Sequence, residues 1–201
     1  KGEYPVCALS NLSLVDKDFN YIGSSAGNDM HICVEKLLSK GEYYLFADAN
    51  FRYNSKILTN HGFTVTAYFD KDVVLENVTE KINVPEKLRK SMIDYCKKKE
   101  KGNMQENGVN VYVTKSFNKE IPYKVLVFEN PTEKKFKVTA GLEPKGEKSC
   151  SFYCDDVAKE TDLNVSKELK GKESIAIIIM YHSLSSLFNF HCAISDLTED
   201  N

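Results

Sequence analysis

The chain has 201 residues, of which 42% are apolar and 28% are charged, and its formal net charge is −2. These values are ordinary for a folded soluble protein, long enough for one large or two small domains with a real core. The small net charge gives no reason to propose nucleic acid or an anionic membrane as the main partner. The longest apolar run, 175–181, falls far short of the ~20 residues that a membrane-spanning helix needs.

Six cysteines in this length are too sparse and too irregularly spaced for a disulfide scaffold. We therefore expect mostly free thiols in a reducing compartment, and we predict a cytoplasmic location. The chain begins at a lysine without a signal-like segment, so we interpret it as a piece of a longer protein.

The first 80 residues alternate between apolar and polar side chains with the period of two that is typical of β-strands. The predicted strands are 6–14, 19–22, 42–49 and 63–69, and residues 31–35 alternate in the same way. On the predicted strand 42–49, one face carries Tyr43, Leu45, Ala47 and Ala49. On the predicted strand 63–69, one face carries Phe63, Val65, Ala67 and Phe69. The polar connection 50–62 between them is typical of a surface loop.

Residues 83–101 change to a helical period. Asn83 and Pro85 suit a helix start, and apolar side chains then recur at i, i+4, i+7 and i+8, at Leu88, Met92, Tyr95 and Cys96. The lysines of 97–101 suit the negative end of the helix dipole. They indicate either a solvated helix end or a contact for an acidic partner. A polar, glycine-containing linker follows at 100–110.

The last ninety residues predict a second all-β unit. Its predicted strands are 110–114, 123–129, 136–141, 151–154, 163–165, 175–181 and 187–195. Seven short strands with frequent turn signals favour a sandwich, and 175–181 should be central because both its faces are apolar. We therefore predict a mostly β fold of two antiparallel β-sandwich domains, 1–82 and 110–201, joined by one amphipathic helix and linker at 83–109. The first sandwich is either incomplete at its start or reduced.

The stretch 32–77 resembles the C2-like β-sandwich of calpain-type cysteine proteases, most closely the variants that follow the protease domain in protists. The matching residues are Leu37, Gly41, Glu42, Tyr43, Leu45, Phe63, Val65, Ala67, Tyr68, Val74, Leu75 and Glu76. The resemblance implies a non-catalytic region that mediates protein–protein contact or positioning within a larger protein or assembly, with the cytoskeleton or a cilium as possible settings. Two alternatives are a calcium- or lipid-responsive C2-type module, and part of an active endopeptidase whose catalytic domain lies outside this chain.

Two Asp-Lys-Asp sequences are the candidates for calcium. Asp16 with Asp18, and Asp70 with Asp72, would lie in turns at one end of the sandwich, with Asp48 nearby. Calcium prefers six to eight hard oxygen ligands, which converging loop aspartates supply. The simpler interpretation is a pair of surface turns, so we expect no metal and keep calcium as the alternative. For protein binding, we single out Phe51, Arg52 and Tyr53 as an exposed aromatic patch.

We predict no catalytic residue in this chain. For the full-length protein, calpain-type cysteine protease activity stays an alternative. Ser25 lies in a Gly-x-Ser-x-Gly pattern, but this motif acts only on a strand–turn–helix elbow. In calpain-type proteases a tryptophan follows the nucleophilic cysteine, and this chain contains no tryptophan. The cysteines and histidines near the end of the chain are Cys150, Cys154, His182, His191 and Cys192. We do not expect them to bind zinc, because residues four positions apart on a strand are about 13 Å apart. In addition, His191 and Cys192 point to opposite faces of their predicted strand.

Overall fold

The computed structural model describes residues 9–27, 31–50, 52–53, 56–57, 64–78, 81–114, 120, 123–144, 150–153, 164–181 and 188–197. Its elements, in chain order, are β1 (Leu9–Asp16), β2 (Tyr21–Gly27), β3 (Tyr43–Asn50), β4 (Arg52–Tyr53), β5 (Lys56–Ile57), α1 (Val84–Lys99), β6 (Asn103–Met104), β7 (Asn110–Val113), β8 (Tyr123–Glu129), β9 (Phe136–Pro144), β10 (Cys150–Tyr153), β11 (Asn164–Leu169), β12 (Ser174–Tyr181) and β13 (Phe188–Asp196). The strand pairings between them are antiparallel. The predicted mostly β, antiparallel fold is therefore confirmed, as is the helix.

The second half of the chain forms two facing sheets. One has five strands in the order β10-β12-β8-β7-β6, and the other has three in the order β11-β9-β13. We call the cluster between them the sandwich core; it contains Val109, Val111, Leu126, Phe128, Phe136, Val138, Ala140, Leu142, Val165, Leu169, Ile177 and Ile179. The prediction that 175–181 is central is confirmed, because β12 pairs with β10 on one side and with β8 on the other.

One buried asparagine closes an end of this sandwich. Asn130 follows β8, and its side-chain amide donates to the carbonyls of Lys134 at 2.7 Å and Lys170 at 2.9 Å. Its backbone N–H donates to the carbonyl of Glu173 at 2.9 Å. Because a buried polar group is costly unless it is hydrogen-bonded, these contacts fix the β8–β9 turn against the β11–β12 turn.

The other face of the five-stranded sheet is covered by α1 and by part of the first sheet. The side chain of Asn83 accepts from the Glu86 backbone N–H at 3.3 Å, which caps the helix start, and Pro85 occupies the first turn. This helix-side cluster contains Tyr21, Leu88, Met92, Tyr95, Cys96, Tyr123, Val125, Val127, Ala176 and Ile178. Within the described residues, no helix is both long and apolar enough to cross a membrane.

The first sheet has the order β2-β1-β3. Phe19, in the turn between β1 and β2, adopts a positive φ of 63° and stacks on Tyr44 of β3 with ring centroids 4.6 Å apart. Phe46 reaches the helix-side cluster, where Tyr21 meets Tyr95 edge to face at 4.8 Å. The core-facing side of β3 is thus the one that carries Tyr44 and Phe46, since Leu45 remains 43% exposed.

One of the predicted strands is wrong. Residues 64–69, the described part of the predicted strand 63–69, contain no strand, and residues 31–35, which alternate in the same way, contain none either. The physical reason for 64–69 is that no other described segment pairs with its backbone, so alternation alone does not make a ladder. Residue 63 lies outside the described residues. The division of the chain into 1–82, 83–109 and 110–201 stays a prediction.

Candidate functional site

The lysines at the end of α1 bind carboxylates of this same chain. Lys97 lies 2.7 Å from Glu129, Lys98 lies 2.7 Å from Asp94, and Lys99 lies 3.2 Å from Glu120. Lys97 and its glutamate also tie the helix to the five-stranded sheet. Of the two interpretations of this basic run, the structure therefore favours a partly solvated helix end over a contact for an acidic partner.

Asp16 uses its carboxylate to shape its own turn. One oxygen accepts from the backbone N–H groups of Asp18 and Asn20, both at 2.9 Å, and the other accepts from the Asn20 side chain at 2.9 Å. Burial raises the pKa of Asp16, but the hydrogen bonds from Asn20 and Asp18 outweigh it, so the pKa lies below its usual range. A turn of this kind explains the aspartate without a metal ion.

The second aspartate pair, Asp70 and Asp72, lies at an exposed bend of the chain. Asp48, which we expected nearby, instead accepts a hydrogen bond from the Tyr123 hydroxyl at 3.0 Å. Among the described side chains, no group of three or more His, Cys, Asp or Glu is placed to hold a metal ion. The calcium site stays a prediction, and the structure adds no geometry in its favour.

The structure describes only part of the predicted aromatic patch. Phe51 lies outside the described residues, whereas Arg52 and Tyr53 form β4 and pair with Ile57 and Lys56 of β5. Their role in binding stays a prediction.

The candidates for chemistry occupy ordinary structural positions where the structure describes them. Ser25 lies within β2, so its Gly-x-Ser-x-Gly pattern is on a strand. Burial, with the nearby Glu100 carboxylate, raises the pKa of Cys96 to about 12, which opposes formation of a reactive thiolate. Cys33, Cys96 and Cys192 are free thiols.

The histidine–cysteine pair of β13 is split between the two faces of its strand. Phe190 and Ile194, which share a face with Cys192, pack against the sandwich core. His191 covers Gly141 on the outer face, where a Cβ would meet the imidazole at 2.2 Å. Cys154 and His182 lie outside the described residues, as does the side chain of Cys150.

Among the described residues, the largest group of exposed apolar side chains lies in 64–78, which we call the apolar segment. Its large members and their exposed fractions are Val65 42%, Tyr68 90%, Phe69 51%, Val73 48%, Val74 93% and Leu75 71%. Residues 64–69 and 72–78 form neither helix nor strand, and a bend at residues 70–71 separates them. Exposed apolar side chains in a contiguous run are typical of an interaction surface.

The apolar segment is anchored at its end but not along its length. Glu76 forms an ion pair with Lys81, and the Lys81 backbone N–H donates to the carbonyl of Val78 at 2.8 Å, just before α1. No backbone hydrogen bond links residues 64–76 to another part of the chain that the structure describes. Among the described residues, the N–H and C=O groups of 64–76 therefore have no backbone partner elsewhere in the chain.

A buried lysine lies at one end of the sandwich. Lys124 is 7% exposed; its ammonium donates to the Thr114 carbonyl and lies 5.1 Å from the ring centroid of Phe190. Burial lowers the pKa of Lys124, against the Glu100 carboxylate, which raises it. The Thr114 hydroxyl takes the place of a carbonyl in the ladder, accepting from the Val125 N–H at 2.9 Å. The signal in the sequence is Lys124 itself, because it interrupts an otherwise apolar strand.

A buried polar network connects the first sheet to the five-stranded sheet. The Ser13 hydroxyl donates to the side-chain oxygen of Asn11 at 3.2 Å, and the Asn11 amide donates to the Tyr123 hydroxyl at 3.5 Å. The Tyr123 hydroxyl in turn donates to Asp48. Leu9, Asn11, Ser13 and Val15 all face inward on β1. A polar residue at alternate inward positions was the signal that could have revealed this network.

Comparison with known proteins yields no relative: no protein-family model matches the chain, and no curated protein or solved structure matches it.

Proposed function

We propose that this chain is a non-catalytic β-rich region that binds another protein through the apolar segment. The observation that carries the proposal is the exposure of six large apolar side chains within residues 64–78. Of these, Tyr68 is 90% exposed and Val74 is 93% exposed. Burying apolar surface is the dominant favourable term in most protein association. Aromatic anchors such as Tyr68 and Phe69 are typical of binding hot spots.

The setting of this interaction is part of the same proposal. The resemblance of residues 32–77 to the C2-like sandwich of calpain-type proteases supports a positioning role beside other domains or proteins. We propose a cytoplasmic assembly, with the cytoskeleton or a cilium as settings to examine first. The side chains of Leu37 and Leu38, which lie within the same resemblance, are exposed as well.

Site-specific photo-crosslinking tests the proposal. Benzoylphenylalanine replaces Tyr68 in the full chain, and the matched control carries it in place of Met104, an apolar residue that is 67% exposed outside the apolar segment. In extract of the source cells, we expect discrete protein adducts from position 68 and none from position 104.

The same crosslinking chain with Val74→Ser should lose those adducts, because a serine at this position removes buried apolar area from the complex. Equal adducts from both positions, or adducts that survive the serine substitution, would contradict the proposal.

A further inference from the structure

The apolar segment exposes two aromatic side chains that are neighbours in sequence. Tyr68 is 90% exposed and Phe69 is 51% exposed. Among the side chains that the structure describes, the other aromatic ones are buried or half-buried, as Tyr95 and Phe128 are. The pair therefore marks one place on the described surface that a pocket for aromatic side chains can reach.

The backbone around this pair is accessible as well. Apart from the half-buried Ala67, every residue from 64 to 77 is exposed, and the bend at 70–71 interrupts a stretch without helix or strand. An endopeptidase must place the carbonyl of the bond that it cuts among its own hydrogen-bond donors. A carbonyl inside a helix or a ladder is already engaged, whereas an exposed stretch outside both is the usual place for a cut.

Lysine side chains do not single out this stretch in the same way. Lys71 is exposed at the bend, but exposed lysines also lie far from it, at Lys98, Lys134 and Lys170. The specificity pocket of an endopeptidase decides which side chain precedes the cut. An enzyme that selects basic residues would therefore meet many exposed sites, whereas one that selects aromatic residues meets a single pair in the described part of the chain.

The parts of the chain before and after the apolar segment are held together by contacts that do not involve it. The Tyr21 backbone N–H donates to the Asp94 carboxylate at 2.7 Å. The Tyr21 ring meets Tyr95 edge to face, with centroids 4.8 Å apart. The Asn11 amide reaches the Tyr123 hydroxyl at 3.5 Å, which joins the first sheet to the five-stranded sheet. A cut in the apolar segment leaves all of these contacts in place.

We propose that the apolar segment is a site of proteolytic processing, cut after Tyr68 or Phe69 by an endopeptidase whose specificity pocket accepts aromatic side chains. Hydrolysis adds one water across the peptide bond, which leaves a carboxylate on the first product and an amine on the second. The two products stay bound to each other, because the helix-side cluster buries Tyr21 of the first product against α1 of the second. The cut divides the apolar segment, with Val65 on one product and Val74 on the other.

Limited proteolysis of the folded full chain tests this proposal. Chymotrypsin at a low ratio of enzyme to chain is the probe, and mass spectrometry under denaturing conditions locates the first cut. We expect this cut after Tyr68 or Phe69, at a rate at least about tenfold above that of any other cut. Size-exclusion chromatography of the nicked protein without denaturant should then give one peak that contains both products.

Two proline variants show whether the aromatic pair determines the cut. Phe69→Pro removes one aromatic residue and places a proline directly after Tyr68, which blocks cleavage of that bond as well. It should slow the first cut at least about tenfold, whereas the matched control Val74→Pro, in the same segment, should be cut as fast as the unaltered chain. Circular dichroism checks that both variants are folded.

A urea series on the unaltered chain gives a second readout, which decides even if Phe69→Pro does not fold. Cutting an exposed segment requires no opening of the fold. Below the unfolding transition, the rate of the cut should therefore not rise with urea, once it is corrected for the activity of chymotrypsin on a short peptide.

Four results would overturn the assignment. These are a first cut elsewhere in the chain, an unchanged rate in folded Phe69→Pro, a rate that rises with urea, and products that separate on the column. The proposed function has its own readout, because it predicts crosslinks from position 68 in the uncut chain. Crosslinks without a chymotrypsin cut would leave the proposed function standing, and a cut without crosslinks would leave the processing site standing.

Discussion

The two halves of this chain place their apolar residues in opposite surroundings. In β8 and β12, such residues are buried on both faces, between α1 on one side and the second sheet on the other. In the apolar segment, residues of the same kind face solvent and the backbone has no ladder partner among the described residues. The comparison teaches that an apolar stretch becomes part of a core or stays an exposed surface according to whether another element covers it.

The largest expected difference between the two halves comes from removing one phenylalanine ring in each. Phe128→Ala removes a fully buried ring from the sandwich core and should lower the free energy of unfolding by about 3–5 kcal/mol. Phe69→Ala removes the same ring from a side chain that is 51% exposed, and should cost less than about 1 kcal/mol. Urea unfolding of both variants measures the contrast, and equal losses would show that the apolar segment belongs to a core.

A smaller effect tests the junction between the halves. Tyr123→Phe keeps the buried ring but removes the hydroxyl that contacts Asp48 and Asn11, and should cost about 1–2 kcal/mol because buried partners lose a hydrogen bond. Tyr112→Phe is the control, since its hydroxyl contacts Glu129 at 2.9 Å in a more exposed position. A loss for Tyr123→Phe no larger than the control would mean that the network does not join the two sheets.

Replacing the buried lysine should raise the free energy of unfolding by an amount that depends on pH. Burial holds the pKa of Lys124 below its ordinary value of 10.5 in the folded chain, while the unfolded chain keeps the ordinary value. At pH values below the folded pKa, both states carry the charge and the cost of burying it is fully present. Between the two pKa values the unfolded state binds more protons, so stability rises with pH.

Lys124→Met should therefore stabilise the chain at neutral pH, by an amount on the order of 1 kcal/mol. The advantage should shrink as the pH approaches 10.5. Thermal or urea unfolding from pH 7 to pH 10 measures it, with the exposed Lys137→Met as the control. A destabilised variant, or a pH-independent difference, would contradict a penalty from the buried charge.

The sequence predicted the covered half of the fold better than the open half. The helix period and the cap at Asn83 predict α1, and β8 is predicted with its observed bounds because residues 125–128 are all apolar, as in a strand buried between two layers. The alternation of residues 64–69 predicted a strand that does not form. Alternation reports the local period, whereas a strand also needs a neighbour, and no local pattern encodes that neighbour.

The candidate site was harder to predict for the same reason. Tyr68, Val74 and Leu75 are among the residues that resemble the C2-like sandwich, and the resemblance does not say which of these side chains are exposed. Their exposure depends on which segments pack over them, which is a tertiary property. The position of β3 at the side of its described sheet likewise follows from the strand order β2-β1-β3, not from the composition of the strand.

The central claim is that the apolar side chains of residues 64–78 form a surface of the folded chain. Titration of native protein with a dye that fluoresces on apolar surfaces, such as anilinonaphthalene sulfonate, tests it most directly when the unaltered chain is compared with Tyr68→Ser/Val74→Ser. We predict that the folded, unaltered chain binds the dye and that the double variant loses about half or more of the signal. An unchanged signal in the double variant would contradict the account, since the dye would then report some other apolar surface.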